Sequence, residues 1–386
     1  MAHYTTIMNE LLHLIPRHRF ETIVNRYSGD RYVKRFNCWN QFTTLLYAQA
    51  SGKDSLREIE YGFTVNSERL YHLGLPQIKR STLADANKTR SYEIFEDLFY
   101  QFLERCKDVT PKHKFRFKNP LNTFDSTVID LSLNMFPWAR YMAKKGALRL
   151  HYQFDHSGDI PSFLVITDAK RGEITVARKN FDIISDSIYC FDKGYLDFSW
   201  FRRINKSKAF FVTRARDNLS HTVIGQHAEP NKKGVLSDDV IELCGNPKSD
   251  DYPDSLRLIR YYDQDRDKVL TFLTNNFNLS AVTIAQIYKA RWQVEIFFKW
   301  IKQNLKIKTF LGVSKNAVLT QIWVAMCYYL LLAYIKYQTR YKYSLFYLHR
   351  VIAETLMSRF SIIDLLRASE RILPKLKQDE YQYVFL

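Results

Sequence analysis

Apolar positions recur at helical spacing over the first hundred or so residues of this chain, at strand spacing through its middle, and at helical spacing again to its end. Residues 1–108 read as helical throughout. Ser55 precedes LREIEYGF, Asn66-Ser67 precedes ERLYHLG, and Ser81-Thr82 precedes LADANKTR, with Thr82 and Asp85 at capping-box spacing. The amphipathic run SYEIFEDLFYQFLERC follows, and PKHKFRFKNP (111–120) is a basic, proline-bounded connector. From about 121 the period changes to two. LNTFDSTVIDLSL, ALRLHYQFDHS and PSFLVITDAKRG predict three strands in series; SIYCFDKGY (187–195) and KAFFVTRARDN (208–218) add a fourth and a fifth, separated by helical stretches. This order predicts an α/β layer fold with a mixed sheet. Residues 219–280 hold four shorter strands, HTVIG, VIELCG, SLRLIRYYD and KVLTFLT, joined by polar turns. The most apolar stretch, Val318 to Ile335, contains Thr320 and Gln321 and carries aromatics throughout. At ~18 residues it barely reaches the length of a bilayer span, and a buried core helix is expected.

These changes of period divide the chain into a helical region at 1–110, an α/β core at 111–218, a β-rich insertion at 219–280, a second part of the core at 281–345 and a helical C-terminal region at 346–386. Twelve glycines and ten prolines are few for 386 residues, which favours long helices over a turn-rich all-β protein. The formal charge of +17 is concentrated at the ends: residues 1–124 hold 19 basic and 13 acidic side chains, and residues 281–386 hold 16 and 6. Two basic ends around a near-neutral middle indicate a polyanion partner, with nucleic acid preferred. Neither terminus offers the polybasic or amphipathic tail that a membrane surface wants. Short capped helices before a longer one make residues 1–108 the expected DNA-contacting region. The five cysteines (38, 106, 190, 244, 327) are widely spaced with no CxxC, which fits a reducing compartment and excludes a zinc cluster. His13, His18, His151 and His156 are expected to be ordinary structural or surface histidines rather than metal ligands. The opening residues lack the order of a signal peptide, so a soluble, cytoplasmic protein is expected.

The segment YKARWQVEIFFKWIKQNLK carries the pattern Tyr288-x2-Arg291-x3-Glu295-x6-Lys302. On one helix, positions 288, 291, 295, 302 and 306 fall within ~40° of a single line, with Lys299 at its edge. A lone acid, Glu295, thus stands in a column of Tyr288, Arg291, Lys302 and Lys306, an arrangement suited to a divalent metal among phosphate-binding cations. An exposed face of i,i+4 ion pairs accounts for Glu295 with Lys299 but leaves Tyr288 and Arg291 unexplained. Two further acids lie on predicted strands: Asp125 in TFDSTVIDLSL, within or at the end of a central strand, and Asp192 in YCFDKGY, at a strand end, where α/β sheets present their chemistry. Two Asp on neighbouring strands and a Glu on a facing helix suit the two-metal chemistry of in-line phosphoryl transfer.

With these residues the chain resembles the DDE transposases of the bacterial insertion-sequence-four family, cut-and-paste enzymes with an RNase H-like catalytic core. The Y-x2-R-x3-E-x6-K pattern is complete at Tyr288, Arg291, Glu295 and Lys302, FDSTVIDLSL matches the first-Asp context, and DKGY matches the second. Lys193 replaces the commoner Arg of that second motif, keeping charge but not a bidentate phosphate contact. The β-rich insertion is also a family feature, and the likeness runs from about residue 50 to about 340. The resemblance implies an RNase H-like mixed-sheet core and two Mg²⁺ ions, with Mn²⁺ as a substitute, on Asp125, Asp192 and Glu295. It implies phosphate contacts from Arg291, Lys302 and the neighbouring Lys193, Lys299 and Lys306, and an end-bracing Tyr288. Trp292 would stack on an unstacked base or serve as a core aromatic. The implied partners are double-stranded DNA, as terminal inverted repeats and target, and a second copy of the chain, in the bacterial cytoplasm at the nucleoid.

Asp130, Asp155 and Asp168 compete for the metal positions, but only Asp125 combines an apolar strand with the family's Ser-Thr context. A metal-dependent nuclease without joining activity, an inactive DNA-binding relative and a tyrosine recombinase are the alternative functions. A chelator separates the last from the metal-dependent readings.

Overall fold

The computed structural model describes residues 5–142, 145–169, 171–229, 234–245, 250–305, 307 and 309–372. They form two compact units that do not follow chain order. One comprises the described parts of 1–111, 130–146 and 298–386; the other comprises 112–129 and 147–297.

The first unit is helical, built around Lys315–Gln338, a helix buried at every position from Ala317 to Ile335. It is long and apolar enough to cross a bilayer, but its whole apolar stretch lies inside the unit, as the sequence leads one to expect. The Cys38–Ala50, Arg80–Thr89, Glu93–Lys107 and Leu345–Thr355 helices pack on it. Asn316 at its start joins two of them: its amide donates to the Asn87 carbonyl at 2.9 Å, and its oxygen accepts the Tyr92 N–H at 3.1 Å. Residues far apart in the chain also meet here, with the Ile7 N–H on the Ser358 carbonyl and the Ile362 N–H on Glu10.

Ser55 caps Leu56–Val65 as its sequence suggests, accepting the Glu58 N–H. Gly74, at φ 62°, closes the short Ser67–Leu73 helix in the left-handed conformation that glycine tolerates. The next helix departs from the sequence reading. It starts at Arg80 rather than after Ser81-Thr82, because the Arg80 N–H is met by Glu60 of the Leu56–Val65 helix at 3.3 Å. That distant acceptor takes over the role of the Thr82 cap.

Between the Arg17–Arg26 and Cys38–Ala50 helices, a turn is pinned at its base. Asp30 accepts the Cys38 N–H at 2.6 Å, and the Arg90 guanidinium donates to the Phe36 carbonyl and lies over the Phe36 ring. At its tip Arg31, Tyr32, Lys34 and Arg35 are all exposed. Tyr32 is held at φ 62° with its ring 5.0 Å from the Arg31 guanidinium.

The second unit is a layered α/β sheet. Its strands are β1 (Leu121–Leu131), β2 (Lys145–Asp155), β3 (Ile160–Asp168), β4 (Ile188–Phe191), β5 (Phe210–Arg214), β6 (His221–Gln226), β7 (Val235–Leu243), β8 (Leu256–Asp263) and β9 (Lys268–Thr274). They lie in the order β3-β2-β1-β4-β5-β9-β8-β7-β6. β2 and β3 are antiparallel, whereas β4 runs parallel to both β1 and β5. The first five strands therefore make an RNase H-like core. The insertion extends this core: β9 pairs antiparallel with β5, and β8, β7 and β6 continue the sheet. Arg257 on β8 is buried on Asp238 of β7 in a two-pronged ion pair of 2.6 and 2.7 Å, and it also donates to the Asn276 and Leu279 carbonyls.

Alternation along the strands supplies a core on each face. Phe124, Tyr189, Phe191 and Phe211 pack with residues of the Glu173–Asn180 and Phe198–Lys206 helices. Leu121, Ile188, Cys190 and Val212 point the other way, onto the Ala281–Ala290 helix. The 111–120 connector is not a free linker, because Phe115 and Phe117 stack on each other and pack on this second core.

Candidate catalytic site

Strand register places the first two carboxylates. β1 and β4 pair in parallel from Leu121 with Ile188 to Phe124 with Phe191. Asp125, inside β1, and Asp192, just past the carboxyl end of β4, therefore each follow the last paired residue and lie side by side where the short strand stops. Because Phe124 and Phe191 face one helix layer, the next residue on each strand turns toward the other layer, that of Ala281–Ala290.

That helix ends at Arg291, which differs from the single helix expected over 288–306. Arg291 caps Ala281–Ala290, its N–H bonding to the Tyr288 carbonyl at 3.2 Å, and a second helix runs from Trp292 to Asn304. The backbone at Arg291 stays close to helical, at φ −51° and ψ −30°. The step breaks the column without sending Arg291 and Glu295 apart.

One guanidinium then links two carboxylates. Arg291 Nη1 lies 2.7 Å from Asp125 Oδ2 and 3.7 Å from Glu295 Oε1. The Asp125 and Arg291 side chains are 12% and 13% exposed, that of Glu295 41%. Burial pushes the Asp125 carboxyl up to about 7, while Arg291 and the Ser126 N–H pull it back; Glu295 and Glu173 add to the upward push. Burial opposes the charge on Arg291, but Asp125, Tyr288, Cys190 and Asp192 together outweigh it, so its affinity for its proton rises. Asp192 sits at the start of the Lys193–Tyr195 turn, accepting the Lys193 N–H at 2.7 Å and the Tyr288 hydroxyl at 3.3 Å. Tyr288 in turn packs its ring on Phe272 and lies under the Arg291 guanidinium.

The donor chemistry fits a hard divalent cation, since carboxylate oxygens are the ligands such ions take. Asp125, a buried acid already held by a cation, is the clearest sign of that fit. Among the described residues no three acids, histidines or cysteines converge closely enough to hold an ion as they stand. Asp125 and Glu295 face Arg291, and Asp192 faces Tyr288.

Among the competing acids, Asp168 is exposed beside Arg171, Asp155 is bonded to the Ser157 N–H, and Asp130 is exposed. His151 and His156 are buried on Thr167 and Thr123, structural as expected. Lys193 is exposed. Trp292 is 51% exposed, with Arg266 over its ring, and so is not a core aromatic. It lines a cavity of about 430 Å³ together with Tyr262, Gln286, Tyr288, Lys289 and Arg291. Lys299 is exposed and Lys302 half-buried on the Trp292–Asn304 helix, past the point where the chain leaves the second unit; Lys306 lies outside the described residues.

One acid at this site carries no sequence signal. Glu173, the first residue of its helix, accepts the Ser126 hydroxyl at 2.5 Å and lies 3.7 Å from Arg149. Only its position, just after a strand end and before a helix, marks it out.

Comparison with known proteins agrees with this architecture. Residues 117–331 match the family model of the transposase DDE domain, and residues 3–76 match a domain of unknown function, DUF4372. The putative transposase y4zB of Sinorhizobium fredii is 36% identical over 254 residues, covering 65% of this chain and 69% of that protein. The probable transposase for insertion sequence element IS5377 of Geobacillus stearothermophilus is 28% identical over 277 residues, covering 69% and 70%. A cryo-EM structure of a piggyBac transposase synaptic complex with hairpin DNA aligns over 97% of this chain and 82% of that one, at 12% identity and a TM-score of 0.43. The family domain spans more than half of the chain and includes all three acids and Arg291: the protein is a DNA transposase and belongs to the DDE transposase family.

Proposed function

We propose that this transposase cuts DNA at the terminal inverted repeats of its element and joins the freed ends to target DNA, with Asp125, Asp192 and Glu295 as its catalytic carboxylates. The observation that carries this reading is the parallel β1–β4 register, which sets Asp125 beside Asp192 while Arg291 reaches both Asp125 and Glu295. The family domain implies divalent metal use, and the finer proposal is two Mg²⁺ ions, with Mn²⁺ as substitute. Bound there, the ions supply an activated water or 3′-hydroxyl and stabilise the leaving oxygen.

The remaining residues orient DNA. Arg291 and Lys302, with Lys193, Lys299 and Lys306, hold phosphates near the scissile bond, and positioning of this kind supplies much of the rate in phosphoryl transfer. Tyr288 braces the DNA end, with its hydroxyl on Asp192 keeping the ring in place. Trp292, displayed beside the cavity, stacks on an unstacked base. The helical region at 1–110 contacts the ends, two copies of the chain assemble on paired ends, and the protein works in the bacterial cytoplasm at the nucleoid.

Three variants test the reading on a DNA fragment carrying the repeats that flank this gene. Asp125→Asn, Asp192→Asn and Glu295→Gln keep side-chain shape and lose charge, so each should abolish cleavage in Mg²⁺ while end binding stays near wild type. Wild-type cleavage by any one of them removes that residue from the site.

A further inference from the structure

We propose that Glu173 is a positioning residue of the catalytic centre, holding the Asp125 segment of β1 and the Asp192 turn at the spacing that lets them bind a divalent cation together. The proposal rests on the metal-binding reading above. Asp125 lies within β1 and Asp192 opens the turn after β4, and both segments are fitted to this one carboxylate. On β1, the Ser126 N–H donates to Asp125 Oδ1 at 2.8 Å, and the Ser126 hydroxyl donates to Glu173 Oε1 at 2.5 Å. A short hydrogen bond to an ionised acceptor is the strong kind, so Glu173 fixes the residue that in turn orients Asp125.

In the other segment, Asp192 opens the turn Lys193–Tyr195. A Cβ at Gly194 would lie 3.2 Å from Glu173 Oε2, closer than ordinary van der Waals contact. The missing side chain lets the carboxylate rest against the turn. Arg149, from β2, stands 3.7 Å behind Glu173 and balances its charge.

Tyr195 is an independent sign, because it buries a polar group beside these acids that the described residues leave unmet. The residue is 1% exposed, and its hydroxyl has no hydrogen-bond partner among the described residues. Burial first, then Glu173 and Asp125, raise its pKa well above the ordinary value, so it stands among the carboxylates as a proton donor. A carboxylate at the start of a helix is favourable on its own account. That explanation covers Glu173 as an isolated residue, but not the Ser126 hydroxyl and the Gly194 turn both shaped to it.

The test is Mn²⁺ binding to the full chain, read from the electron paramagnetic resonance signal of the free ion, with Asp125→Asn as background. Glu173→Ala should weaken Mn²⁺ binding ~10–100-fold, the usual loss when an outer-sphere partner is removed. Ser126→Ala should shift it the same way. Glu173→Gln keeps an oxygen for the Ser126 hydroxyl and should retain most of the affinity. Thermal unfolding in chelator is measured alongside, and Ser126→Ala decides the matter where Glu173→Ala fails to fold. Unchanged Mn²⁺ affinity in folded Glu173→Ala and Ser126→Ala overturns the proposal. So does a Glu173→Gln chain as impaired as Glu173→Ala with Ser126→Ala silent, because Glu173 would then be a ligand itself. A wild-type chain that binds no Mn²⁺ above background instead removes the metal reading, and the proposal with it.

Discussion

Replacing Arg291 with alanine exposes what its guanidinium does, because it serves two carboxylates at once, Asp125 at 2.7 Å and Glu295 at 3.7 Å. Truncating one partner of a buried pair leaves the other charge uncompensated and costs ~3–5 kcal/mol, whereas removing both costs far less. The low end applies here, about 3 kcal/mol, because an isolated buried carboxyl escapes part of the cost by taking up a proton. Asp125→Asn should cost only ~1 kcal/mol, since Arg291 keeps Glu295 as a partner. The double variant should then fall short of the sum by ~2 kcal/mol, the coupling of the pair. Hydrogen exchange of the β1 amides in chelator reads this locally, as a difference of roughly 30-fold in protection. Mn²⁺ provides a second arm. It should slow β1 exchange more in Arg291→Ala than in the wild type, because the ion no longer competes with a guanidinium; at 100 times its dissociation constant a bound ion adds ~2.7 kcal/mol. A coupling near zero, with the same Mn²⁺ response in both proteins, would refute the reasoning and leave Arg291 as a neighbour without a task.

Binding of the full chain to DNA should weaken steeply with salt, and replacing Arg31, Lys34 and Arg35 together by alanine should reduce the log–log slope by about 3 if each meets a phosphate. An unchanged slope would clear that turn of any DNA contact. Asp238→Ala leaves Arg257 buried without its carboxylate and should cost ~3–5 kcal/mol, seen as faster exchange in β7 and β8; a loss under ~1 kcal/mol would mean that the two carbonyls satisfy Arg257 alone. Burial pushes His151 and His156 down to about 4. A folded-state value below the unfolded one, near 6.5, leaves their contribution intact above that pH and removes it as pH falls toward 4, by up to ~3 kcal/mol each. His156→Asn should flatten this acid limb of the stability curve, and an unaltered limb would show that the titrating group lies elsewhere.

What the sequence made legible, and what it did not, follows from the range over which each feature is determined. All nine strands of the second unit could be read from period and turn residues, and so could the burial of Ala317–Ile335, because those signals are local. Partnership is not local. Nothing in KVLTFLT says that β9 will cover the edge of β5, and the Arg80 helix begins where a glutamate from another helix reaches it. Glu173 was invisible for the same reason: RGEITVARKN has no motif, and its meaning lies in a serine hydroxyl from β1 and a missing Cβ in the Lys193–Tyr195 turn. The interruption at Arg291 hides within an unbroken apolar period that contains neither glycine nor proline. Its effect is on function rather than shape. A straight helix would make Arg291 one cation in a column, whereas here it ends one helix, faces Asp125 across the sheet end and still reaches Glu295 on the next. It thus compensates the charges that the divalent ions are proposed to take over. Part of the DNA's binding free energy then goes into moving that guanidinium from carboxylate to phosphate, so metal loading and end binding should favour each other.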